Sequence, residues 1–414
     1  MSRTETTDIL IIGAGPAGSV AAALLRQQGR EVLVLEKQQF PRFSIGESLL
    51  PQSMAYIEKA GMLRAVVEAG FQHKNGAAFA HRGRHTDFDF RDKFSPGWGT
   101  TYQVVRADFD SILASEAARM GASVRFRHEV LAVDVTGERP RVNVRAPDGE
   151  EYVVSAGFLL DASGFARILP RLLDLERPSG FPVRGAIFTQ VRDNIAPGSS
   201  AAGTFDRNKI LISVHPDHQD VWYWTIPFSN GYCSLGVVAE QAYLARYEGD
   251  EMTRLRAIVG EEPGLASLLA DAEWNMPARQ IVGYSSNVST LWGKNYALLG
   301  NAGEFLDPVF SSGVTIAFTS ADLAATCLAK QAAGESVDWQ AEYAAPLKRG
   351  VDAFRRFVDS WYVGGFQKVI FHKDQNPDIR RMICAILAGY AWDQDNPYVA
   401  EPRRLKTLEA LCGG

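Results

Sequence analysis

The sequence predicts an α/β fold in which a parallel-sheet unit is combined with an antiparallel β-sheet region and a helical carboxy-terminal cap. An apolar run at residues 8–12 (DILII) is followed at once by a glycine-rich turn and a helix-like stretch. Alternating stretches such as KILISV and DVWYWTIPF favour strands in the middle of the chain. Beyond residue 338, apolar residues recur at spacings of three and four, which is typical of helices.

Length and composition narrow the class of protein. The 414 residues exceed one typical core, and 46% of them are hydrophobic, which favours a folded chain of more than one domain. The net charge is -5 and no dense lysine or arginine block is present, so nucleic acid is not an expected partner. The amino terminus lacks the pattern of a secretory signal, and no apolar run approaches the roughly 20 residues that cross a bilayer. We therefore expect a cytoplasmic protein with no membrane span. The four cysteines and seven histidines lack metal-ligand spacing, so no metal site is expected.

The turn after the first strand, GAGPAG, has the pattern of a dinucleotide-binding loop. Gly13 permits the tight turn, Gly15 lets the backbone approach a pyrophosphate, and Gly18 lets the helix pack closely on the strand. Gly29 is expected to end that helix. The next predicted strand, EVLVL, leads into Glu36, whose carboxylate can accept hydrogen bonds from ribose hydroxyls. Both FAD and NAD would satisfy this unit.

A segment far along the chain distinguishes the two cofactors. The strand YALLG leads into Asn301, then Asp307-Pro308, then Ser311-Ser312-Gly313 at the start of a helix. This segment resembles the late "GD…DP" motif of the p-hydroxybenzoate hydroxylase superfamily, which contacts the ribityl chain and the flavin ring. The resemblance implies FAD. That superfamily usually has aspartate where this chain has Asn301, so a ribityl hydrogen bond is kept while a charge is lost.

Two more segments resemble the same superfamily. Arg106, in VVRADFDSILASEAA, corresponds to an arginine that reaches toward the flavin, and Asp161, in LLDASGFAR, corresponds to a motif near the pyrophosphate and ribityl chain. A purely structural role for Asp161 stays open, because Asp-x-Ser-Gly is also ordinary turn chemistry. The residues expected to bind FAD are Gly13, Gly15, Pro16, Ala17, Gly18, Glu36, Lys37, Arg42, Ser48, Arg106, Asp161, Asn301, Asp307, Gly313 and Val314. No second GxGxxG is present, so electrons must come from a transient nicotinamide or a separate flavin reductase.

Four segments resemble the flavin-dependent halogenases that act on phenols and pyrroles. They are PRFSIGESLLP at 41–51, GFQHKNGA at 70–77, WYWTIP at 222–227 and DPVFSSGV at 307–314. In that family the lysine of the second segment is catalytic, and Lys74 matches it. The resemblance implies that reduced FAD, oxygen and chloride or bromide generate hypohalous acid, which Lys74 delivers to an electron-rich ring. Taken alone, Lys74 would be an exposed surface lysine.

The resemblance also implies sites for halide and substrate. Backbone N–H groups around Ser312 and Gly313, at a helix start, would bind the halide. Trp222 and Trp224 alternate on a strand and so face one side. With Pro227 and Phe310, they are expected to line a substrate pocket. The alternative interpretation is that Trp222 and Trp224 are simply aromatic core residues of a strand.

The expected organisation follows these assignments. A discontinuous FAD-binding domain of the p-hydroxybenzoate hydroxylase type, with a Rossmann-like core, covers 1–75, 103–180 and 275–337. A substrate-binding β-sheet domain covers 76–102 and 181–274, and a helical region covers 338–414. The tail is short compared with tryptophan halogenases, which favours a phenolic or pyrrolic substrate, free or tethered to a carrier protein. An FAD-dependent aromatic hydroxylase or other monooxygenase of the same fold is the main alternative, and a flavin-binding protein without turnover is a third.

Overall fold

The computed structural model describes residues 3–196 and 205–413, so residues 197–204 of the expected substrate region lie outside the described residues. The described residues form nineteen strands: β1 Thr4–Ile12, β2 Val32–Glu36, β3 Gln72–Lys74, β4 Gly76–His81, β5 Arg84–Asp89, β6 Thr101–Gln103, β7 Ser123–Phe126, β8 Glu129–Asp134, β9 Arg141–Arg145, β10 Glu151–Asp161, β11 Glu176–Arg177, β12 Arg184–Arg192, β13 Lys209–Val214, β14 Trp222–Pro227, β15 Tyr232–Glu240, β16 Arg279–Val282, β17 Asn287–Val288, β18 Trp292–Gly293 and β19 Tyr296–Leu298. The α-helices are α1 Pro16–Gln27, α2 Gln52–Lys59, α3 Leu63–Glu68, α4 Arg106–Arg119, α5 Ile168–Leu172, α6 Gln241–Leu244, α7 Glu251–Val259, α8 Pro263–Leu268, α9 Gly313–Ala332, α10 Ala345–Tyr362, α11 Gly365–Ile370, α12 Pro377–Leu387, α13 Pro397–Ala400 and α14 Arg403–Cys412.

The first sheet contains the predicted parallel unit. Its order is β18-β19-β10-β1-β2-β7, and β8 and β9 extend it beside β10. Strand β1 pairs in parallel with both β2 and β10, and its four residues from 9 to 12 are buried because helices cover the sheet. Helix α1 ends at Gln27, and Gly29 follows with φ +77, as expected for a glycine that terminates a helix. The α/β fold class is confirmed.

The second sheet has seven strands in the order β16-β12-β15-β14-β13-β4-β5. It is antiparallel except for one pair, since β4 and β13 run parallel. The expected antiparallel sheet is thus present, with one parallel pair inside it. The chain leaves β4 and β5, passes through the first sheet and returns at β12, and so long a connection permits parallel pairing where a hairpin would not. Strand β6 pairs with β3 in a separate ribbon.

The carboxy-terminal region is helical, as predicted. Helix α10 follows a π-helical turn at Gln340–Ala344 and packs against α9 and α11. Its buried stripe includes Phe354, Phe357 and Trp361, which join the apolar core beneath the second sheet. Within residues 3–196 and 205–413, none of the helices has the length and apolar character that crossing a membrane requires.

Candidate active site

A cavity of about 550 Å³ extends from the carboxyl ends of the parallel strands to the face of the second sheet. Crevices at this edge of a parallel sheet are common ligand sites. Most of the predicted site residues line it: Gly13, Gly15, Pro16, Ala17, Glu36, Lys37, Arg42, Ser48, Arg106, Trp222, Trp224, Asn301, Gly313 and Val314. The other predicted residues are not part of its lining: Gly18, Lys74, Asp161, Pro227, Asp307, Phe310 and Ser312.

The three glycines of the loop, Gly13, Gly15 and Gly18, have different roles. Gly13 has φ +97, and a Cβ there would lie 2.5 Å from the Ala162 carbonyl oxygen. A Cβ on Gly18 would overlap the Gly13 carbonyl, so Gly18 serves the packing of α1 and not the cavity surface. A Cβ on Gly15 would meet only the Arg42 guanidinium, at 3.5 Å. Gly15 therefore keeps the backbone open toward the cavity, where a pyrophosphate would approach.

The polar groups around this loop fit an adenine dinucleotide. The Glu36 carboxylate accepts hydrogen bonds from the N–H groups of Ala14 (3.0 Å) and Gln38 (2.8 Å), which orients it beside the loop. Each of its oxygens has a further lone pair for a ribose hydroxyl. Arg42 lies near Gly15 and brings a cation to the place where the phosphates would lie. Its guanidinium is held by Asp110 (3.3 Å).

Arg106 lines the cavity from the start of α4. Its guanidinium makes a paired contact with Asp110, Nε to Oδ1 at 2.8 Å and Nη2 to Oδ2 at 3.0 Å, and its Nη1 donates to the Ile45 carbonyl. Arg42 shares the same carboxylate, so Asp110 orients two cations toward one wall.

Asp161 lies behind this wall. It is fully buried, and its carboxylate accepts from the N–H groups of Ser163 (2.9 Å) and Leu169 (2.7 Å). These bonds hold the turn after β10, whose residues Ala162 and Ser163 line the cavity. This geometry favours the structural role that the sequence left open, and the expected place of Asp161 near the pyrophosphate and the ribityl chain stays a prediction.

Lys74 is fully buried at the end of β3, so its interpretation as an exposed surface lysine is wrong. Its Nζ donates to the Ser48 hydroxyl and to the Leu49 carbonyl, each at 2.7 Å. Among the described residues no carboxylate forms an ion pair with it, and burial lowers the pKa of Lys74 to about 7. Ser48 lines the cavity, so one hydroxyl separates the Lys74 amine from it.

The wall opposite the glycine loop is formed by β14. The Trp222 and Trp224 rings lie with their centroids 6.0 Å apart, and both line the cavity. Ile226 continues this face, whereas Pro227, one position further, has the opposite parity and does not line the cavity. Gly236, the cross-strand partner of Trp224, leaves room for its indole.

Three residues of the DPVFSSGV segment also face away from the cavity. Phe310 packs edge-on against Trp361 and Phe366 in the core beneath α10. Ser312 is buried between Ser311 and Gly313, which do line the cavity. The Asp307 carboxylate accepts from the Tyr362 hydroxyl at 2.8 Å and from the Val309 N–H at 3.0 Å. Burial raises the pKa of Asp307 to about 6.

Glu47 is a site residue that the sequence analysis did not select. It lines the cavity, is buried, and accepts from the Gln190 amide at 2.9 Å. Burial raises the pKa of Glu47 to about 7, although hydrogen bonds from Ser234 and Gln190 and the charge of Arg106 oppose the shift. The sequence signal that could have identified Glu47 was its place beside Ser48 in the matched segment at 41–51. In the structure the preceding residue, Gly46, has φ +93.

Among the described cysteines and histidines, His128 is the one that lines the cavity. All four cysteines are free thiols. Over residues 3–196 and 205–413, no group of three or more histidine, cysteine, aspartate or glutamate side chains is arranged to hold a metal ion. His215 instead makes a 2.9 Å contact with Glu261.

Comparison with known sequences gives both a family and relatives. A family model described as an FAD binding domain matches residues 6–337. The flavin-dependent halogenase armH3 of Armillaria mellea is 31% identical over 368 residues, covering 81% of this chain and 70% of its own. The 1H-pyrrole-2-carbonyl-(peptidyl-carrier protein) chlorinase of Pseudomonas fluorescens is 28% identical over 406 residues, covering 92% and 89%.

Solved structures with the same fold include two close matches. A flavoprotein/dehydrogenase from Cytophaga hutchinsonii superposes with a TM-score of 0.94 at 42% identity, covering 99% of both chains. The flavin-dependent brominase Bmp2 superposes with a TM-score of 0.85 at 26% identity, covering 97% of this chain and 98% of its own.

Proposed function

Because this chain belongs to the flavin-dependent halogenases, we propose that it halogenates a phenolic or pyrrolic ring and that Lys74 captures the halogen. The chain is an FAD-dependent enzyme that uses a halide. The observation that carries the assignment of Lys74 is its buried amine, which lies one hydroxyl away from the FAD cavity.

The residues that would hold FAD divide by the part of the cofactor they suit. Gly13, Gly15 and the start of α1 suit the pyrophosphate, and Glu36 suits the adenosine ribose. Asn301 and Arg106, on other walls of the same cavity, suit the ribityl chain and the flavin ring. Reduced FAD, when bound, supplies with oxygen and halide the hypohalous acid that the rest of the site uses.

Lys74 is suited to capture this acid because burial holds the pKa of its amine at about 7. A neutral amine attacks the halogen: a nitrogen–halogen bond forms, the oxygen–halogen bond breaks, and the displaced hydroxide leaves as water with the amine proton. The ring then takes the halogen as the nitrogen–halogen bond breaks, and the proton lost from the same carbon returns to the nitrogen, which regenerates the amine. In its charged form the ammonium would instead hydrogen-bond to the acid and orient it.

The halide and the substrate would occupy opposite walls. The first N–H groups of α9, from Ser312 and Gly313 onward, have no helical partners and suit an anion. Ser312 itself is not part of the cavity lining, so Gly313 is the member of this pair that faces the halide. The indoles of Trp222 and Trp224 would keep a flat ring at a distance from the flavin, which suppresses direct oxygen transfer.

Two partner proteins are expected, a flavin reductase and a carrier protein. A separate flavin reductase would supply reduced FAD, because the sequence has no second dinucleotide motif. A carrier-tethered aromatic acid is the substrate form that the pyrrole chlorinase relative favours, since that protein matches this chain over 89% of its own length.

The test combines the purified protein with FAD, a flavin reductase, NADH and either chloride or bromide. Phenol, pyrrole and pyrrole-2-carboxylate, the last both free and loaded on a carrier protein, serve as substrates. We expect a product whose mass and isotope pattern show one added halogen, formed only when the reductase is present. NAD(P)H oxidation stimulated by substrate without the reductase, together with a product heavier by one oxygen, would reject the halogenase in favour of an aromatic hydroxylase.

A further inference from the structure

The Trp222 indole is anchored from outside its own sheet. Its Nε1–H donates to the Tyr362 hydroxyl at 3.0 Å, and that hydroxyl donates to the Asp307 carboxylate at 2.8 Å. Tyr362 is the last residue of α10, so the carboxy-terminal helices reach the cavity wall through this one oxygen. All three side chains are buried, which removes competition from bulk water.

The direction of these hydrogen bonds is fixed by chemistry. An indole nitrogen can only donate, and an ionised carboxylate can only accept. The tyrosine hydroxyl is the group that can satisfy both at once, by accepting from Trp222 and donating to Asp307. A phenylalanine at 362 would leave the buried Trp222 donor without a partner and would remove one of the donors to Asp307, which costs more than the loss of an exposed hydrogen bond.

The Tyr362 ring is itself held in place. The Arg184 guanidinium, on β12, lies 3.3 Å from the ring centroid. On the other side of the hydroxyl, Asp307 also accepts from the Val309 N–H, at the turn that leads to Gly313. The indole of the substrate wall and the loop at the start of α9 are thereby fixed relative to each other by one oxygen atom.

We propose that Tyr362 is a positioning residue for halogenation, whose hydroxyl sets the orientation of the Trp222 indole on the cavity wall. This inference rests on the proposed function, because it assumes that the Trp222 ring contacts the aromatic substrate. Tyr362 acts through Trp222 and does not line the cavity itself.

Trp224 provides the internal comparison. Its Nε1–H donates to the Ser234 hydroxyl at 3.0 Å, and Ser234 lies on the neighbouring strand β15. Trp224 is therefore anchored within the sheet, with no group from α10 among its hydrogen-bond partners in the described residues. Loss of the Tyr362 hydroxyl should disturb Trp222 and leave Trp224 in place.

The first test detects the hydrogen bond between the Trp222 indole and the Tyr362 hydroxyl, and it requires no reaction. The chain has eight tryptophans, so the indole ¹H–¹⁵N signals can be resolved and the signal of Trp222 assigned by its loss in Trp222→Phe. We expect Tyr362→Phe to shift the Trp222 signal toward the value of an unbonded indole and to leave the Trp224 signal unchanged. An unchanged Trp222 signal would overturn the inference.

The second test measures whether the hydrogen bond between Trp222 and Tyr362 affects the reaction. In Tyr362→Phe we expect KM for the aromatic substrate to rise about fivefold, the worth of one net hydrogen bond, with more reduced FAD consumed without halogenation. In the double variant Trp222→Phe with Tyr362→Phe, the loss should not exceed that of Trp222→Phe alone, whereas Trp224→Phe with Tyr362→Phe should be additive.

The matched control is Tyr223→Phe. Tyr223 lies between the two tryptophans on β14, is equally buried, and donates to the Ile258 carbonyl at 2.9 Å on the other face of the sheet. The Tyr223→Phe variant should lose about as much stability as Tyr362→Phe, but its KM for the aromatic substrate should equal that of the wild type. An additive loss in the Trp222 double variant, or a loss of FAD affinity in place of the KM effect, would overturn the inference. Absence of any halogenated product from the wild type would instead reject the proposed function, while the indole signals still decide whether the anchor exists.

Discussion

The Lys74 amine donates a 2.7 Å hydrogen bond to the Ser48 hydroxyl, and Ser48 lines the cavity that suits FAD. The amine is thus buried without a counter-ion among the described residues, and it reaches the cavity surface through a side chain of the matched IGESLLP segment. A buried amine of lowered pKa is a better nucleophile at neutral pH than an exposed lysine.

Replacing Lys74 with alanine should separate flavin oxidation from halogen transfer. We expect Lys74→Ala to bind FAD and to oxidise reduced FAD with oxygen at a rate close to the wild type, yet to form at least about a hundredfold less halogenated product, the scale of losing a positioned nucleophile. Oxygen consumption and product mass measured in one reaction check this. Lys93→Ala is the control, because Lys93 is also largely buried and bonds to the Gly97 carbonyl at 2.9 Å but does not line the cavity. Halogenation that persists in Lys74→Ala would leave the family assignment intact and remove the role of this lysine.

Gly15→Val should abolish FAD binding while the fold remains. A Cβ at Gly15 would meet only the Arg42 guanidinium at 3.5 Å, so the backbone accepts a side chain in the absence of the cofactor. The valine methyl groups would then occupy the approach path of the pyrophosphate. Fluorescence titration with FAD measures the loss, and the thermal unfolding midpoint of the apoprotein should match that of the wild type. Unaltered FAD affinity in this variant would show that the phosphates bind elsewhere.

Much of this loop could be predicted from sequence because its signals are local. The strand, the turn, the helix and Glu36 follow one another within a short stretch, and each has a backbone reason. That Trp222 and Trp224 lie on the same side of β14 was also predictable, because strand alternation fixes it. The same alternation could have excluded Pro227 from the cavity lining.

The remaining differences between the sequence predictions and the structure come from tertiary packing. A motif match places Asp161 and Phe310 in the right segments, but which side of a turn faces the cavity depends on what packs behind it. Tyr362 reaches Trp222 from a helix 140 residues away in sequence, and a single sequence gives no signal for that contact. The parallel pairing of β4 with β13 has the same origin, since it depends on how the two sheets are connected.

Asn301→Asp should preserve or tighten FAD binding. Asn301 lines the cavity, and a carboxylate there would give a ribityl hydroxyl a charge-assisted acceptor in place of an amide oxygen. The Arg167 guanidinium donates to the main-chain carbonyl of Asn301 at 3.3 Å, which holds the backbone of this residue in both proteins. Titration with FAD should give a dissociation constant equal to or below that of the wild type. A clear loss of affinity would mean that the Asn301 amide acts as a donor to the cofactor.

Glu47→Gln should stabilise the protein at pH 8 and leave its stability nearly unchanged at pH 4. Burial raises the pKa of Glu47 from 4.5 to about 7, so the folded protein holds this proton more tightly than the unfolded chain does. Between these two values the native state binds more protons, and the wild type therefore loses stability as the pH rises, by up to about 1.4 kcal/mol per pH unit. Above pH 7 the whole cost of the buried charge is present, and glutamine removes it while its amide oxygen can still accept from Gln190. Urea unfolding of both proteins at pH 4, 6 and 8 measures the difference, which should grow across the series. A difference that stays constant with pH would show that Glu47 ionises normally in the folded protein and that its carboxylate is reached by water.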